Sequence, residues 1–362
     1  MKLVVATPLY PPEPGGPATY AKLLEEGLPA EGIEVRVVKF GEVRTYPKVV
    51  RHLVYFWKVY SAARGADAVL ALDPVPVGLP ALWAARRRRA AFLVKVVGDY
   101  AWEQGVQRFG ITDSLDAFVK RAHVPFRVAM LRKIERYVAS HAARVIVPSE
   151  YLKGILQAWG IPAERIEVIY NAIQLEAGGV VPEAAAALPR PLVASVGRLV
   201  PWKGFEGVID AVAGQALPAS LAVAGDGPLR ERLATYAEER LSSRAAFLGA
   251  LPHADTLAVM ASADVIVLNS TYEGLSHMLI EALMLGKAVV ATDAGGNAEL
   301  IANGSNGMLV PVGDTDALAS TLGKALADAA LRASLEREAV SARERFSPAA
   351  MCQATAAILH TV

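Results

Sequence analysis

Short apolar runs rich in β-branched residues recur along the chain, each followed by a polar or glycine-rich stretch and then by residues at helical spacing. The runs at Lys2–Thr7, Glu34–Phe40, Ala68–Leu72, Phe92–Val97, Arg144–Val147 and Arg165–Tyr170 read as strands buried on both faces. Helical stretches lie between them, among them Pro17–Leu28, a helix from Leu79 that ends in Arg86–Arg89, and Tyr151–Trp159, which Pro148-Ser149-Glu150 caps. The alternation resumes at Leu192–Val196, with a helix from Phe205, and continues through Leu221–Ala224 and Asp264–Leu268. Strands alternating with helices predict an α/β fold of parallel, doubly wound sheets. Ligands of such sheets sit beyond the carboxyl ends of the strands. Between the two series of strands, Glu176–Pro191 is rich in Ala, Gly and Pro and reads as a linker.

The loops at those strand ends carry the candidate chemistry. After Asp264–Leu268 comes Asn269-Ser-Thr-Tyr-Glu-Gly-Leu-Ser276, which leads into a helix with Met278, Leu279, Ala282, Leu283 and Leu285. Glu273 lies in the loop and Glu281 in the helix, where a carboxylate is expensive to bury without partners. Gly274, Ser276 and the helix N-terminus make an anion site from free amides and the helix dipole, with Glu281 within reach of a ribose hydroxyl pair. A helix cap with a solvated Glu fits the same spacing. After Leu192–Val196, Arg198 and Lys203 flank a strand-to-helix turn and suit a diphosphate, Arg198 bidentately and Lys203 as a compact charge. As a bare pattern this is also a solvated loop. The stretch from Pro8 through Pro14 to Pro17 contains Gly15 and Gly16, which allow close backbone approach before a helix. It either offers amides to a phosphate or forms a rigid proline-rich connection. Gly98-Asp99-Tyr100-Ala101-Trp102-Glu103, at the end of Phe92–Val97, is rich in groups able to hold a sugar.

Composition narrows the class. With 362 residues, 53% hydrophobic and 20% charged, the chain reads as a soluble globular protein with room for two domains. No signal-peptide pattern and no uncharged apolar stretch of membrane-spanning length is found, so a cytoplasmic protein is expected. Cys352, the single cysteine, excludes an internal disulfide and a cysteine metal cluster. Net charge is +1 but uneven: residues 1–150 hold 22 Lys and Arg against 14 Asp and Glu, and the remainder 15 against 22. Part of the excess lies in Arg86–Arg89. Another part lies between Arg44 and Arg64, where Lys48, Arg51 and Lys58 interleave with Val54, Tyr55, Phe56, Trp57, Val59 and Tyr60. That is the composition of a helix lying on an anionic membrane surface, or of a solvated face with its aromatics in the core. No nucleic-acid partner is expected.

Glu273 and Glu281, with seven residues between them, match the E-x7-E motif of retaining GT-B glycosyltransferases of family 4 (glycosyl transferases group 1). The match continues through Gly286–Asp293, Gly295-Gly296, Glu299 and Gly307–Val310. Gly197-Arg198 with Lys203-Gly204 carries the family's G-R…K-G pattern, and Gly225-Asp226-Gly227-Pro228 and Asn171-Ala172-Ile173 resemble further family elements. The resemblance covers nearly the whole chain, strongly over 192–312 and weakly over 40–145. It implies two Rossmann-like domains facing across a cleft. The first would span 1–175, completed by a C-terminal helix at about 346–362, and the second 190–345.

The implied reaction moves a hexosyl group from a GDP- or UDP-sugar to an acceptor hydroxyl, with retention and without a metal or other cofactor. The acceptor would be a glycolipid, a lipid-linked sugar or a polysaccharide precursor, met by a cytoplasmic enzyme peripheral to the inner membrane face. Arg198 and Lys203 would stabilise the leaving diphosphate, Glu273 would contact the donor sugar and Glu281 the ribose. Gly15, Gly16, Gly197, Gly225, Asp226, Leu248, Gly274, Leu275 and Ser276 would line the donor. Many members have His-Asp where this chain has Gly98-Asp99, so Asp99 or Glu103 would supply the missing polar group, with Tyr100 and Glu103 on the acceptor side. His123 and His141 are available but sit in helical stretches. Asp314-Thr315-Asp316 mimics a metal-binding D-x-D and reads instead as a helix cap. Two other readings are a sugar-nucleotide 2-epimerase of the same fold and a catalytically silent nucleotide-binding scaffold, the latter suggested by Gly98.

Overall fold

The computed structural model describes residues 1–13 and 15–362; Pro14, in the first glycine-rich loop, lies outside them. The chain forms two units, Met1–Ala172 with Ser347–Val362, and Ile173–Phe346.

The first unit is built on a parallel sheet of β1 (Lys2–Thr7), β2 (Glu34–Lys39), β3 (Ala68–Ala71), β4 (Ala91–Lys95), β5 (Arg144–Val147) and β6 (Ile166–Val168), in the order β2-β1-β3-β4-β5-β6. Strand β1 pairs with both β2 and β3, so the order reverses beside it and the loops after β1 and β3 flank the switch point. Helices Gly16–Gly27 and Pro348–Leu359 cover one face, where Tyr20, Leu24, Met351 and Ala356 join Leu3, Val5, Leu70 and Ile146 in one apolar cluster. These helices meet at Gly27, where an added Cβ would lie 2.5 Å from Cys352 Sγ.

Lys95 breaks the apolar character of this layer. Its side chain is buried, its Nζ has no hydrogen-bond partner among the described residues, and the Tyr20 ring centroid lies 3.9 Å from that nitrogen. Burial pushes the amine down from 10.5 to about 7.

Helix Lys48–Ala62 has two apolar faces. Tyr55, Val59 and Ala62 are buried, and Tyr55 Oη donates to Val38 O at 2.8 Å. On the other side Val49, Leu53 and Trp57 are 74%, 56% and 62% exposed. The basic cluster that follows is partly structural: Arg88 stacks 3.6 Å over the Tyr60 ring and its Nε donates to Tyr60 O at 2.8 Å. No helix among the described residues is long and apolar enough to cross a membrane.

The second unit holds β7 (Leu192–Val196), β8 (Ser220–Ala224), β9 (Ala245–Gly249), β10 (Val265–Leu268), β11 (Val289–Thr292) and β12 (Met308–Val310), in the order β12-β11-β10-β7-β8-β9. The chain runs outward from β7 to β9, then returns to the other side of β7 with β10. The switch point therefore lies between the loops that follow β7 and β10. Helices Phe205–Ala213, Arg230–Leu241 and Thr315–Ala327 seal one face through Val208, Ile209, Val212, Leu233, Leu318 and Leu322.

The stretch expected to be a linker is instead packed into the second unit. It contains a short helix, Glu183–Ala186, and buries Ala185 and Leu188. An added Cβ on Gly179 would fall 1.9 Å from Ala254 O, and Val180 N donates to Asp255 Oδ1 at 2.8 Å. Small residues read as flexible, yet close backbone contact requires them. His123, expected in a helix, lies between helices Leu115–Lys120 and Phe126–Ser140; His141 ends the latter and packs on Tyr137.

The folded first unit excludes a proton that the unfolded chain binds at Lys95. Stability should therefore rise as pH climbs from about 7 towards 10.5 and level off below that window. Lys95→Met should raise the first unit's unfolding midpoint at pH 7, by about 1–3 kcal/mol as for a rescued orphan polar group, and flatten the slope. Thermal melts at pH 7 and pH 9 measure this, and an unchanged slope would show that Lys95 finds water or a partner.

Candidate functional site

Four loops converge at the carboxyl ends of the second sheet. The loop after β7, Gly197–Gly204, closes with the turn Pro201–Lys203. The loop after β10, residues 269–276, runs into helix His277–Met284, which Ser276 caps by accepting from Leu279 N at 3.3 Å. Asn269 Nδ2 donates to Gly204 O at 2.9 Å and Thr271 N to Trp202 O at 2.8 Å, stitching the two together. Gly204 is left-handed at φ 62°, and a Cβ there would come within 2.2 Å of Asn269 O, so glycine is required twice over. From the loop after β8, Gly225 N donates to Gly249 O at 2.8 Å and Asp226 O accepts from Leu199 N at 2.9 Å. The loop after β11 braces the far side: Gly296 N donates to Glu273 O at 2.9 Å, and Thr292 Oγ1 to Ser270 O at 2.5 Å.

This scaffold brings Lys203 and Glu273, 70 residues apart in sequence, into direct contact. Lys203 Nζ and Ser270 Oγ each donate to Glu273 Oε1 at 2.6 Å, and Glu273 is 8% exposed. A charge-assisted bond of this kind fixes the orientation of the carboxylate. Gly274, Leu275 and Ser276 are buried beside it at the helix start. Arg198 is exposed and makes no ion pair among the described residues. Leu248 is half-buried in β9. Asp226 Oδ1 accepts from Gly227 N at 2.7 Å, which makes its side chain a turn former.

Glu281 is half-buried, and its Oε1 lies 3.0 Å from His253 Nε2. His253 Nδ1 in turn lies 3.5 Å from Glu176 Oε1. Sequence reasoning missed His253: it opens helix His253–Ser262 in a segment without a family motif, and its value comes from two partners distant in sequence. Asp314 accepts from Ala317 N at 2.8 Å and caps helix Thr315–Ala327.

In the first unit, Gly15 is the N-cap of helix Gly16–Gly27 with φ 139°, at that sheet's own switch point. Asp99 departs from the expectation of a group offered to a sugar. It is fully buried and caps helix Tyr100–Arg108, accepting from Trp102 N at 2.7 Å. Glu135, also fully buried, accepts from Ala101 N at 3.3 Å, so the two carboxylates hold adjacent amides at the start of the same helix. Burial pushes both upward, and the Asp99 charge pushes Glu135 further. Tyr100 and Glu103, the two residues expected on the acceptor side, are half-buried.

Residues 182–341 match the family model of glycosyl transferases group 1, and residues 12–172 that of a glycosyl transferase 4-like domain. The chain is 36% identical over 146 residues to the 2-deoxystreptamine N-acetyl-D-glucosaminyltransferase of Streptomyces fradiae, covering 39% of this chain and 35% of that one. It is 29% identical over 215 residues, 56% of each chain, to the 2-deoxystreptamine glucosyltransferase of Streptomyces kanamyceticus. To the N-acetylgalactosamine-N,N'-diacetylbacillosaminyl-diphospho-undecaprenol 4-alpha-N-acetylgalactosaminyltransferase of Campylobacter jejuni it is 31% identical over 208 residues, again 56% of each. The chain thus spans between 35% and 56% of the length of these curated relatives. Among solved structures, Anabaena Alr3699/HepE in complex with UDP and glucose is similar with a TM-score of 0.78 at 21% identity over 100% of both chains. Sucrose-phosphate synthase of Thermosynechococcus elongatus is similar with a TM-score of 0.79 at 23% identity, over 99% of this chain and 98% of that one.

The Lys203–Glu273 contact is enclosed on both sides, with side-chain exposures of 18% and 10%. Lys203→Met should lower the second unit's stability by about 1–3 kcal/mol, because it strands a buried carboxylate. Adding Glu273→Gln should restore much of the loss. Urea unfolding of the double-mutant cycle measures the coupling, and additive effects would mean the two side chains act independently.

Proposed function

Because the chain belongs to the group 1 glycosyl transferases of family 4 and has their GT-B fold of two Rossmann-like units, we propose that it moves a hexosyl group from a nucleoside-diphosphate sugar to an acceptor hydroxyl, with retention and without a metal. The observation that carries this reading is the Lys203–Glu273 pair, set by two stitched loops at the switch point of the second sheet. As the glycosidic bond to the diphosphate breaks, its electron pair stays on the β-phosphate oxygen. The Lys203 ammonium, the Arg198 guanidinium and the amides at Gly274–Ser276 meet that charge as it develops. Glu273, oriented by Lys203 and Ser270, accepts hydrogen bonds from the donor sugar's hydroxyls, and Glu281 accepts from the ribose. The named relatives are transferases, which favours transfer over 2-epimerisation or a silent scaffold. A neighbouring fold binds UDP and glucose, so UDP-sugars are the first donors to test, with GDP-sugars beside them.

Excess EDTA should leave transfer intact, and NMR of the product should show the donor's anomeric configuration. Arg198→Ala and Lys203→Ala should each lower kcat/KM by about 100-fold or more, the scale of losing one donor to a developing oxyanion. Activity lost on chelation and restored by Mg²⁺ would sink the metal-free mechanism. Near-wild-type turnover in both variants would sink the site.

On the acceptor side, helix Lys48–Ala62 supports a lipid-linked or anionic acceptor met at a membrane surface. Val49, Leu53 and Trp57 form an outward apolar stripe, with the cations of Lys48, Arg51 and Lys58 on the same helix. Apolar burial and attraction to anionic lipid add on such a helix, at about 1 kcal/mol per cation near the surface. Since Arg88 is held by Tyr60, the outward stripe is a better target for substitution than the arginine run. The protein should co-sediment with phosphatidylglycerol vesicles, less so at high salt, and Leu53→Ser with Trp57→Ser should release it. Equal recovery in the supernatant with neutral and anionic vesicles at low salt would leave a soluble acceptor.

A further inference from the structure

We propose that His253 is a positioning residue for the ribose-binding carboxylate of Glu281, with Glu176 as its second partner, so that nucleoside-diphosphate affinity depends on the charge of the imidazole. The inference rests on the reading of the second unit as a sugar-nucleotide site and adds to it a residue and a proton.

The argument starts from the hydrogen count on the ring. Nε2 lies 3.0 Å from Glu281 Oε1 and Nδ1 lies 3.5 Å from Glu176 Oε1. Ionised carboxylates only accept, so both contacts are satisfied only when both ring nitrogens carry hydrogen, that is, in the imidazolium form. The bond to Glu281 raises the imidazole above its usual 6.5, and the Glu176 charge adds to that; partial burial works against them. The ring also stands in the first turn of helix His253–Ser262, where the dipole disfavours a cation. Two carboxylates at contact distance outweigh that dipole. Among the described residues the charged groups acting on the ring are Glu281 and Glu176.

Pinning Glu281 this way leaves it able to bind. His253 uses one lone pair of Oε1, while Oε2 takes no hydrogen bond among the described residues. The two carboxylate oxygens together offer about four acceptor positions, and a ribose diol needs two of them. The imidazolium therefore fixes the carboxylate's rotamer without occupying the face a ribose requires. Loss of the proton undoes this in one of two ways. If Nε2 keeps the hydrogen, the Nδ1 lone pair is turned towards Glu176. If Nδ1 keeps it, Glu281 loses its tether. In both cases the three side chains change from a net charge of −1 to −2 beside a ligand that is itself an anion. The linkage is reciprocal: a bound diphosphate stabilises the imidazolium, so binding above the ring's titration takes up a proton.

The test is calorimetric titration of the full-length protein with UDP, and in parallel GDP, at pH 6.5, 7.5 and 8.5 in buffers of different ionisation enthalpy. Wild-type affinity should fall about 3- to 10-fold more than that of H253Q between pH 6.5 and 8.5, with proton uptake seen in wild type alone. H253Q keeps an amide donor for Glu281 and should bind without this pH dependence, which separates positioning from simple structural loss. H253A should bind about 5-fold or more weakly at pH 6.5. E176Q should bind normally at pH 6.5 with its pH midpoint displaced downward, and it carries the test if H253A fails to fold. UDP or GDP binding with the same pH profile and proton uptake in wild type and H253Q overturns the inference alone. Failure of the wild-type protein to bind either nucleotide overturns the nucleotide reading, and the inference with it.

Discussion

A lysine ammonium and a glutamate carboxylate 2.6 Å apart, enclosed at the end of a parallel sheet, are the contact on which the geometry of the second unit's candidate site depends. Neither charge would be stable there alone. Their pairing requires the loops after β7 and β10 to run side by side, and that in turn requires Gly204, whose backbone passes too close to Asn269 for any side chain. The buttress from Gly296 and Thr292 then fixes the Glu273 backbone from the opposite side. Strand order does the rest. Because β10 returns beside β7, two loops separated by 70 residues become neighbours at the position where a doubly wound sheet is open.

The two units use buried carboxylates differently. In the second, a cation and a hydroxyl meet Glu273 at one carboxylate oxygen. In the first, Asp99 and Glu135 are both buried at a helix start, where burial pushes each carboxyl upward, while Asp99 feels the charges of Arg132 and Arg136. The first arrangement fixes one carboxylate between two loops at the end of the sheet. The second uses its charge on two backbone amides, those of Ala101 and Trp102, and thereby sets the direction of the helix that carries Tyr100 and Glu103.

Much of the fold was legible because strands buried on both faces are written as continuous apolar runs. β1, β5 and β7 have the bounds the pattern predicts. β9, β11 and β12 were not predicted, since runs of three to five residues carry little periodicity. Glu273, Glu281, Arg198 and Lys203 were legible because motif spacing follows strand–loop–helix geometry. That Lys203 grips Glu273 was not, since spacing along the chain says nothing of contact across a switch point. His253 and Glu135 were missed for the same reason: each matters through a partner on another element. Asp99 was noticed at the right place with the wrong use, because an aspartate before a helix serves equally well as a cap.

Residues 347–362 complete the first unit, although they follow the whole of the second in sequence. Helix Pro348–Leu359 covers the apolar face that holds Tyr20 and Leu24, and Cys352 packs where Gly27 leaves room. During synthesis, the contiguous segment 173–346 emerges and can fold while the first 172 residues still lack that cover. The usual order, in which the N-terminal domain is finished first, is therefore inverted. Until residues 347–362 leave the ribosome, the apolar face that holds Tyr20 and Leu24 lacks its covering helix.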